Sequence, residues 1–343
     1  MSEQIPVFQE ANVRKTPLRD LKLKIAGTPL ESVIEEFQSE LQRAGIMRLK
    51  PHFYLSTEWG VPFPSTAIGI PFYLAHPDLL SAQAELIGHI EGTNRSDILR
   101  YFRHEMGHVV NYAYKLYENE DWIQNFGSFT QPYVEDYRPA PFSPQYVQHL
   151  PGWYAQMHPD EDWAETFAVW LTPGRNWKSE YAAWPQALEK LNYVDATMAE
   201  LRDRDPVLTQ GDADDDVGEL GYTVEQFYAS TTSPAESIPP GLDGSLRLMF
   251  EDLGDPAHNS SEIERLPASG LIRSLERQLM ADVYRWTGHF PERTRCLLRH
   301  LAERADAMQQ VYPADKRMEA AVGLTTLVTS LASNYVHRGT YSG

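Results

Sequence analysis

One cysteine stands in 343 residues, so Cys296 has no partner for an intramolecular disulfide, and its helical surroundings read as a small core position. No stretch approaches the roughly 18 consecutive apolar residues of a membrane span. The opening residues Met1-Ser2-Glu3-Gln4-Ile5-Pro6 lack the basic segment and apolar run of a signal peptide, and a cytoplasmic protein is expected. Basic residues are outnumbered, 30 Lys and Arg against 48 Asp and Glu, which leaves a net charge of -18 at pH 7. That sign disfavours nucleic acid, whose phosphates attract basic surfaces, and would repel an anionic membrane. Internal repeats and low-complexity tracts are lacking as well. What is present is 42% hydrophobic residues, enough in a chain of this length for a sizeable core in one large or two smaller domains.

The run Arg103-His104-Glu105-Met106-Gly107-His108 carries the chemistry. Residues four apart share one face of an α-helix, so His104 and His108 can hold one metal ion. Glu105 is offset by about 100°, out of the ligand plane yet near enough to take a proton from a water that the metal activates. Ile98, Leu99, Phe102, Met106, Val109, Ala113 and Leu116 recur at spacings of three and four and form a separate apolar stripe. Asn94 or Ser96 can cap the start of this helix. Glycine inside a helix is unfavourable by roughly 0.5–1 kcal/mol against alanine, so something near Gly107 wants a small residue.

A catalytic zinc takes three protein ligands and leaves a fourth place to water, so the two histidines need a partner. A second helix is expected over Pro159–Leu171, opening on proline and stopping at Thr172-Pro173-Gly174. Glu161 and Glu165 lie four apart on one of its faces, with Asp162 between two directions. Like charges at that spacing repel by a few tenths of a kcal/mol, whereas beside a divalent cation the pair is favourable. Either glutamate could be the third ligand.

His-Glu-x-x-His followed by a distant Glu-x-x-Ala-Asp/Glu helix resembles the gluzincin metallopeptidases. More closely, Phe102–His108 with His158–Ala168 resembles the zinc-binding metallopeptidase family of bacteria that is defined largely by these two blocks. The likeness covers roughly residues 50–200 and implies Zn²⁺ held by His104, His108 and Glu161, with Glu105 as general base. It puts Ala164 at the small position and Glu165 behind a ligand histidine, where a carboxylate can fix the tautomer. Glu165 stands where aspartate is more usual among gluzincins. A peptidase also needs a donor for the oxyanion; Tyr154 is the first candidate and His158 the second, with Tyr112, two turns beyond His104, another. His158 reads as a cap of the acidic helix or a substrate contact rather than a metal ligand, while His89 and His149 read as surface or packing histidines.

The expected fold class is α+β: a zincin-like metallopeptidase core, with a small mixed sheet packed on the metal helix, followed by a mainly helical C-terminal region. Strands are expected at His52–Thr57 and Thr66–Leu74, and Pro71 suits an edge strand, open to an extended peptide. Thr28-Pro29-Leu30-Glu31 opens a helix that Gly45 ends. Residues 117–151, rich in aromatics and prolines, read as a long connection. A helix follows from about Trp184 to Arg202. Asp203–Gly221 then reads as a solvated boundary, since Asp212, Asp214, Asp215 and Asp216 lack the spacing of a calcium loop. The domains expected are 1–205 for the metallopeptidase and 206–343 for helices near Leu271–Trp286, Pro291–Gln310 and Asp315–Val336, which could pair copies of the chain. The expected function is zinc-dependent hydrolysis of peptides or proteins. Two alternatives share the residues: a binding or assembly protein clipped by zinc, and a metal hydrolase of a non-peptide amide.

Overall fold

The computed structural model describes residues 13–134, 137–231, 238, 241–253 and 264–341. They fall into two compact units, one within 1–137 and 142–232, the other within 138–141 and 233–343. No helix among the described residues is long and apolar enough to cross a membrane.

In the first unit, α1 (Pro29–Arg43) begins at Thr28, whose side chain accepts from the Leu30 amide, and buries Leu30, Val33, Ile34, Phe37 and Leu41. Strands β1 (His52–Ser56) and β2 (Ala67–Pro71) pair in parallel, His52 opposite Ala67 and Ser56 opposite Pro71. The open edge expected for an incoming peptide is met by the chain itself. The Gly69 amide donates to the Gly60 carbonyl at 2.8 Å on one side, and the Val217 amide donates to the Leu55 carbonyl at 3.0 Å on the other. Pro71 sits at the end of β2, where its missing N–H disturbs no ladder.

After α2 (Pro77–Leu86) comes α3 (Arg95–Tyr114), capped by the Asn94 side chain on the Asp97 amide and ended by Lys115 in the left-handed region. The ring of Phe102 on α3 stacks on Phe37 of α1 at 5.3 Å and meets Phe53 of β1 edge-on at 5.3 Å, which fixes α3 against helix and sheet. Residues 117–151 are not all connection: Asn119 caps α4 (Glu120–Phe126). Seven residues with only Trp122 and Phe126 buried carry too little periodicity to be read from sequence. α5 spans Pro159–Leu171 as expected, followed by α6 (Trp177–Glu180), α7 (Pro185–Leu201) and α8 (Val224–Thr231).

Residues 206–231, expected with the C-terminal domain, are bound into this first unit. The Val207 and Leu208 amides donate to the Ala113 carbonyl near the end of α3, and Tyr54 of β1 donates to the Asp214 carbonyl. Val217, Val224 and Tyr228 are buried in its core. An acidic stretch can thus run along a surface with several of its backbone groups bonded to that surface.

The second unit holds α9 (Asp243–Arg247), β3 (Glu251–Asp252), β4 (Arg265–Pro267), α10 (Ala268–Thr287), α11 (Pro291–Ala307), β5 (Gln310–Pro313) and α12 (Arg317–Arg338). The three long helices match the expected ones within a few residues. The antiparallel sheet β3-β5-β4 was not foreseen, because strands of two to four residues leave no alternation to detect. Cys296 is only half-buried, outside the core formed by Leu271, Leu279, Leu297, Leu301 and Leu324.

His289 is sealed within this unit, with Nδ1 2.8 Å from the Thr294 hydroxyl and Nε2 3.0 Å from that of Tyr341. Burial, helped by Arg293, pushes its pKa down to about 4. In the unfolded chain the value is about 6.5, so as pH falls through this window the unfolded state gains a proton that the folded state refuses. The stability that the neutral ring preserves is complete above about pH 6.5 and lost progressively toward pH 4, a change of order 3 kcal/mol. Urea unfolding at pH 7 and pH 5 should therefore show a larger drop for the native protein than for His289→Gln. Equal drops would show that the ring is not held neutral.

Candidate metal centre

α3 and α5 meet at a pair of residues without bulk. A Cβ added to Gly107 would lie 2.6 Å from the Cα of Ala164 and 3.1 Å from its carbonyl oxygen. The Trp163 indole N–H donates to the Gly107 carbonyl at 2.7 Å and fixes the register of the two helices. The small residue foreseen at 107 is therefore required by the backbone of α5.

That approach brings His104, His108 and Glu161, all buried, to one point. The Nε2 atoms of the two histidines are 3.2 Å apart, and Oε2 of Glu161 lies 3.1 Å from His104 Nε2 and 3.4 Å from His108 Nε2. Four-coordinate zinc with bonds of 2.0–2.1 Å has tetrahedral edges of about 3.3 Å. The three donor atoms thus already stand near the spacing of one face of such a tetrahedron. They are the only such group found among the described residues.

Each histidine is oriented from behind. His104 Nδ1 is 2.9 Å from Oε1 of Glu165, and His108 Nδ1 is 2.9 Å from Oδ2 of Asp160. A carboxylate accepts, so both Nδ1 atoms carry the proton and both Nε2 atoms turn lone pairs inward. Glu165 is steadied by the amides of His149, at 3.0 Å, and Leu150, at 2.9 Å. Its extra methylene relative to aspartate is no obstacle to reaching His104. Asp160 accepts from the Asn111 amide at 2.6 Å and the Tyr112 hydroxyl at 2.5 Å.

The electrostatics favour a cation. Burial opposes charge on His104, yet the neighbouring carboxylates of Glu161 and Glu165 push its pKa up to about 9, and those of Asp160 and Glu161 raise His108 likewise. Burial also opposes charge on Glu161, but the two histidines hold its carboxyl well below the usual range. Glu105, buried beside the pair, is pushed up to about 7 by burial, with His104 and His108 pulling the other way. Asp162 faces elsewhere: its Oδ2 accepts from the Lys190 ammonium at 2.6 Å, and burial lifts its pKa to about 7 against that partner.

The candidate oxyanion donors are placed differently from one another. The Tyr154 ring sits edge-on to His104, centroids 5.6 Å apart. His158 caps α5: its Nδ1 accepts from the Asp160 amide at 3.1 Å and its Nε2–H donates to the Gln131 carbonyl at 2.8 Å. Both ring nitrogens are committed, which leaves no donor for an oxyanion. Tyr112 is committed to Asp160 in the same way. His149 is a packing histidine, with Nε2 2.9 Å from the Arg100 carbonyl and burial pushing its pKa down to about 4.

Two participants escaped the sequence. Asp160 stands in a run of three acids, and nothing local marks it as the one facing His108. Tyr133 lies in aperiodic chain, yet its hydroxyl donates to Oε1 of Glu161 at 3.1 Å. Its ring also lies on that of His158, centroids 3.9 Å apart, a juxtaposition across 24 intervening residues that no local pattern signals.

No curated protein and no solved structure matches this chain. Residues 87–196 match the model of a family described as "Putative zinc-binding metallo-peptidase". That stretch contains both helices of the cluster, so the segment that builds the centre is the one similar to this zinc-binding family, and zinc is the ion its donor set fits.

Proposed function

We propose that this protein is a zinc-dependent peptidase of gluzincin type on a zincin-like core. The observation that carries the reading is the convergence of His104 Nε2, His108 Nε2 and Glu161 Oε2 at zinc-like spacing, with a buried carboxyl, Glu105, beside them. When bound, zinc supplies Lewis-acid polarisation of a water and of the scissile carbonyl. The protein's part is to hold that ion and to move protons. Glu105 takes the proton of the attacking water on a carboxylate oxygen and returns it to the leaving nitrogen. Glu165 and Asp160 keep both imidazoles in the tautomer that presents Nε2. Tyr154, whose ring borders His104, is the proposed donor to the oxyanion.

A purely structural zinc is normally closed by four protein ligands. The described residues offer three, which favours an enzyme over a zinc-clipped binding protein. The shared chemistry extends to non-peptide amides, and a peptide library separates the two substrates.

Metal content by mass spectrometry tests the centre. Protein purified without added metal should carry about one zinc per chain, Glu161→Ala should lose it, and Glu165→Ala should retain it with weaker binding, by about 10–100-fold. Wild type that takes up no zinc on reconstitution would sink the proposal.

A further inference from the structure

Glu161 uses its two oxygens differently. Oε2 faces the Nε2 atoms of His104 and His108, while Oε1 accepts the hydrogen bond from the Tyr133 hydroxyl. The tyrosine is not free to follow the carboxylate. Its ring lies on the His158 imidazole, centroids 3.9 Å and planes 9° apart. His158 is in turn pinned through both nitrogens, to the Asp160 amide and the Gln131 carbonyl. Tyr133 is therefore registered against the first turn of α5, three residues before Glu161 on that same helix.

A carboxylate can bind a metal through one oxygen or through both. Binding through both would bring Oε1 to about 2.0–2.2 Å from zinc, drawing it away from a hydroxyl whose ring is clamped. A hydrogen bond to an ionised acceptor is roughly twice as strong as a neutral one, so this displacement is opposed. Resting on the metal-centre reading above, the geometry points to Tyr133 as the positioning residue that keeps Glu161 a one-oxygen ligand. The remaining coordination space is thereby left for water and substrate. This role is distinct from that of Glu165 and Asp160, which act on the histidines.

The test is the visible spectrum of the cobalt(II)-substituted full chain. Four-coordinate cobalt absorbs more strongly than five-coordinate cobalt, and cobalt occupies the same kinds of site as zinc. Wild type should give the intense four-coordinate spectrum. Tyr133→Phe keeps the ring on His158 and removes only the hydroxyl; since the tyrosine is 48% exposed, the core is untouched. Its spectrum should weaken toward five-coordination, and its kcat should fall by about 10–100-fold at little changed KM. Tyr133→Leu, which removes ring and hydroxyl together, should give the same weakened spectrum.

Spectra identical in wild type and both variants would overturn the assignment and leave the metal centre standing. Wild type that binds no cobalt would overturn both. A weakened variant spectrum in a protein whose wild type cleaves no peptide would retire the peptidase reading and keep Tyr133 in its role.

Discussion

Glutamine in place of Glu105 should leave the chain folded and loaded with zinc while its peptidase rate drops by about 10²–10⁴-fold, the usual contribution of a positioned general base. The substitution keeps shape and volume and removes the ability to accept a proton. Stability should not suffer. Glu105 is buried, and burial lifts its pKa to about 7, so the ionised form is the one that this environment penalises. A neutral amide avoids that penalty. The decisive pair of measurements is kcat/KM on a peptide found by library screening and zinc content of the same sample. Full activity in the zinc-loaded variant would exclude Glu105 as the base.

A single methyl group at position 107 should also be damaging, through a different route. Replacing glycine by alanine in a helix normally stabilises by roughly 0.5–1 kcal/mol. Here the new Cβ would stand 2.6 Å from the Cα of Ala164, against ordinary contacts of 3.4–4 Å, and the obstacle is backbone. The helices must separate by the better part of an ångström, and overpacking of this kind costs about 1–3 kcal/mol. Because two of the candidate ligands ride on α3 and the third on α5, separation stretches the donor triangle itself. Gly107→Ala should therefore lower the melting temperature by a few degrees, at about 2–4 °C per kcal/mol for a unit of this size, and weaken zinc by at least about tenfold, as loss of ligand positioning does elsewhere. Gly270→Ala is the control, since that helical glycine is exposed and has nothing within 4 Å of a new Cβ. A Gly107→Ala protein that melts and binds zinc as wild type does would show that the two helices can part without cost.

The two helices of the centre were legible because their signals are local. Asn94 caps α3, Pro159 and Thr172 bracket α5, and a four-residue spacing puts His104 and His108 on one face whatever surrounds them. The choice between Glu161 and Glu165 rested on family resemblance; in space the first lies with the Nε2 atoms and the second with an Nδ1. Asp160 was hidden because which of three consecutive acids meets His108 depends on how α5 rotates on α3, a tertiary quantity set by Gly107, Ala164 and Trp163. Tyr133 was hidden for a related reason: a residue in aperiodic chain has no face until its partner, His158, is placed. The short strands of the second unit and the seven-residue α4 fell below the length at which hydrophobic periodicity speaks. The acidic stretch after Asp203 misled because charge reports on solvent contact of side chains and is silent about where backbone amides bond.

One candidate ligand and the carboxylates behind both histidines, Glu161, Asp160 and Glu165, all come from the 13 residues of α5. The two imidazoles they address come from α3. The centre is thus a two-piece fitting, and the chain between the pieces contributes backbone amides and one tyrosine rather than ligands. Such a fitting is portable: two antiparallel or crossing helices of other origin, brought as close as glycine against alanine permits, would reproduce the donor set from five side chains. Insertions into the connection would alter what reaches the metal while leaving the metal where it is.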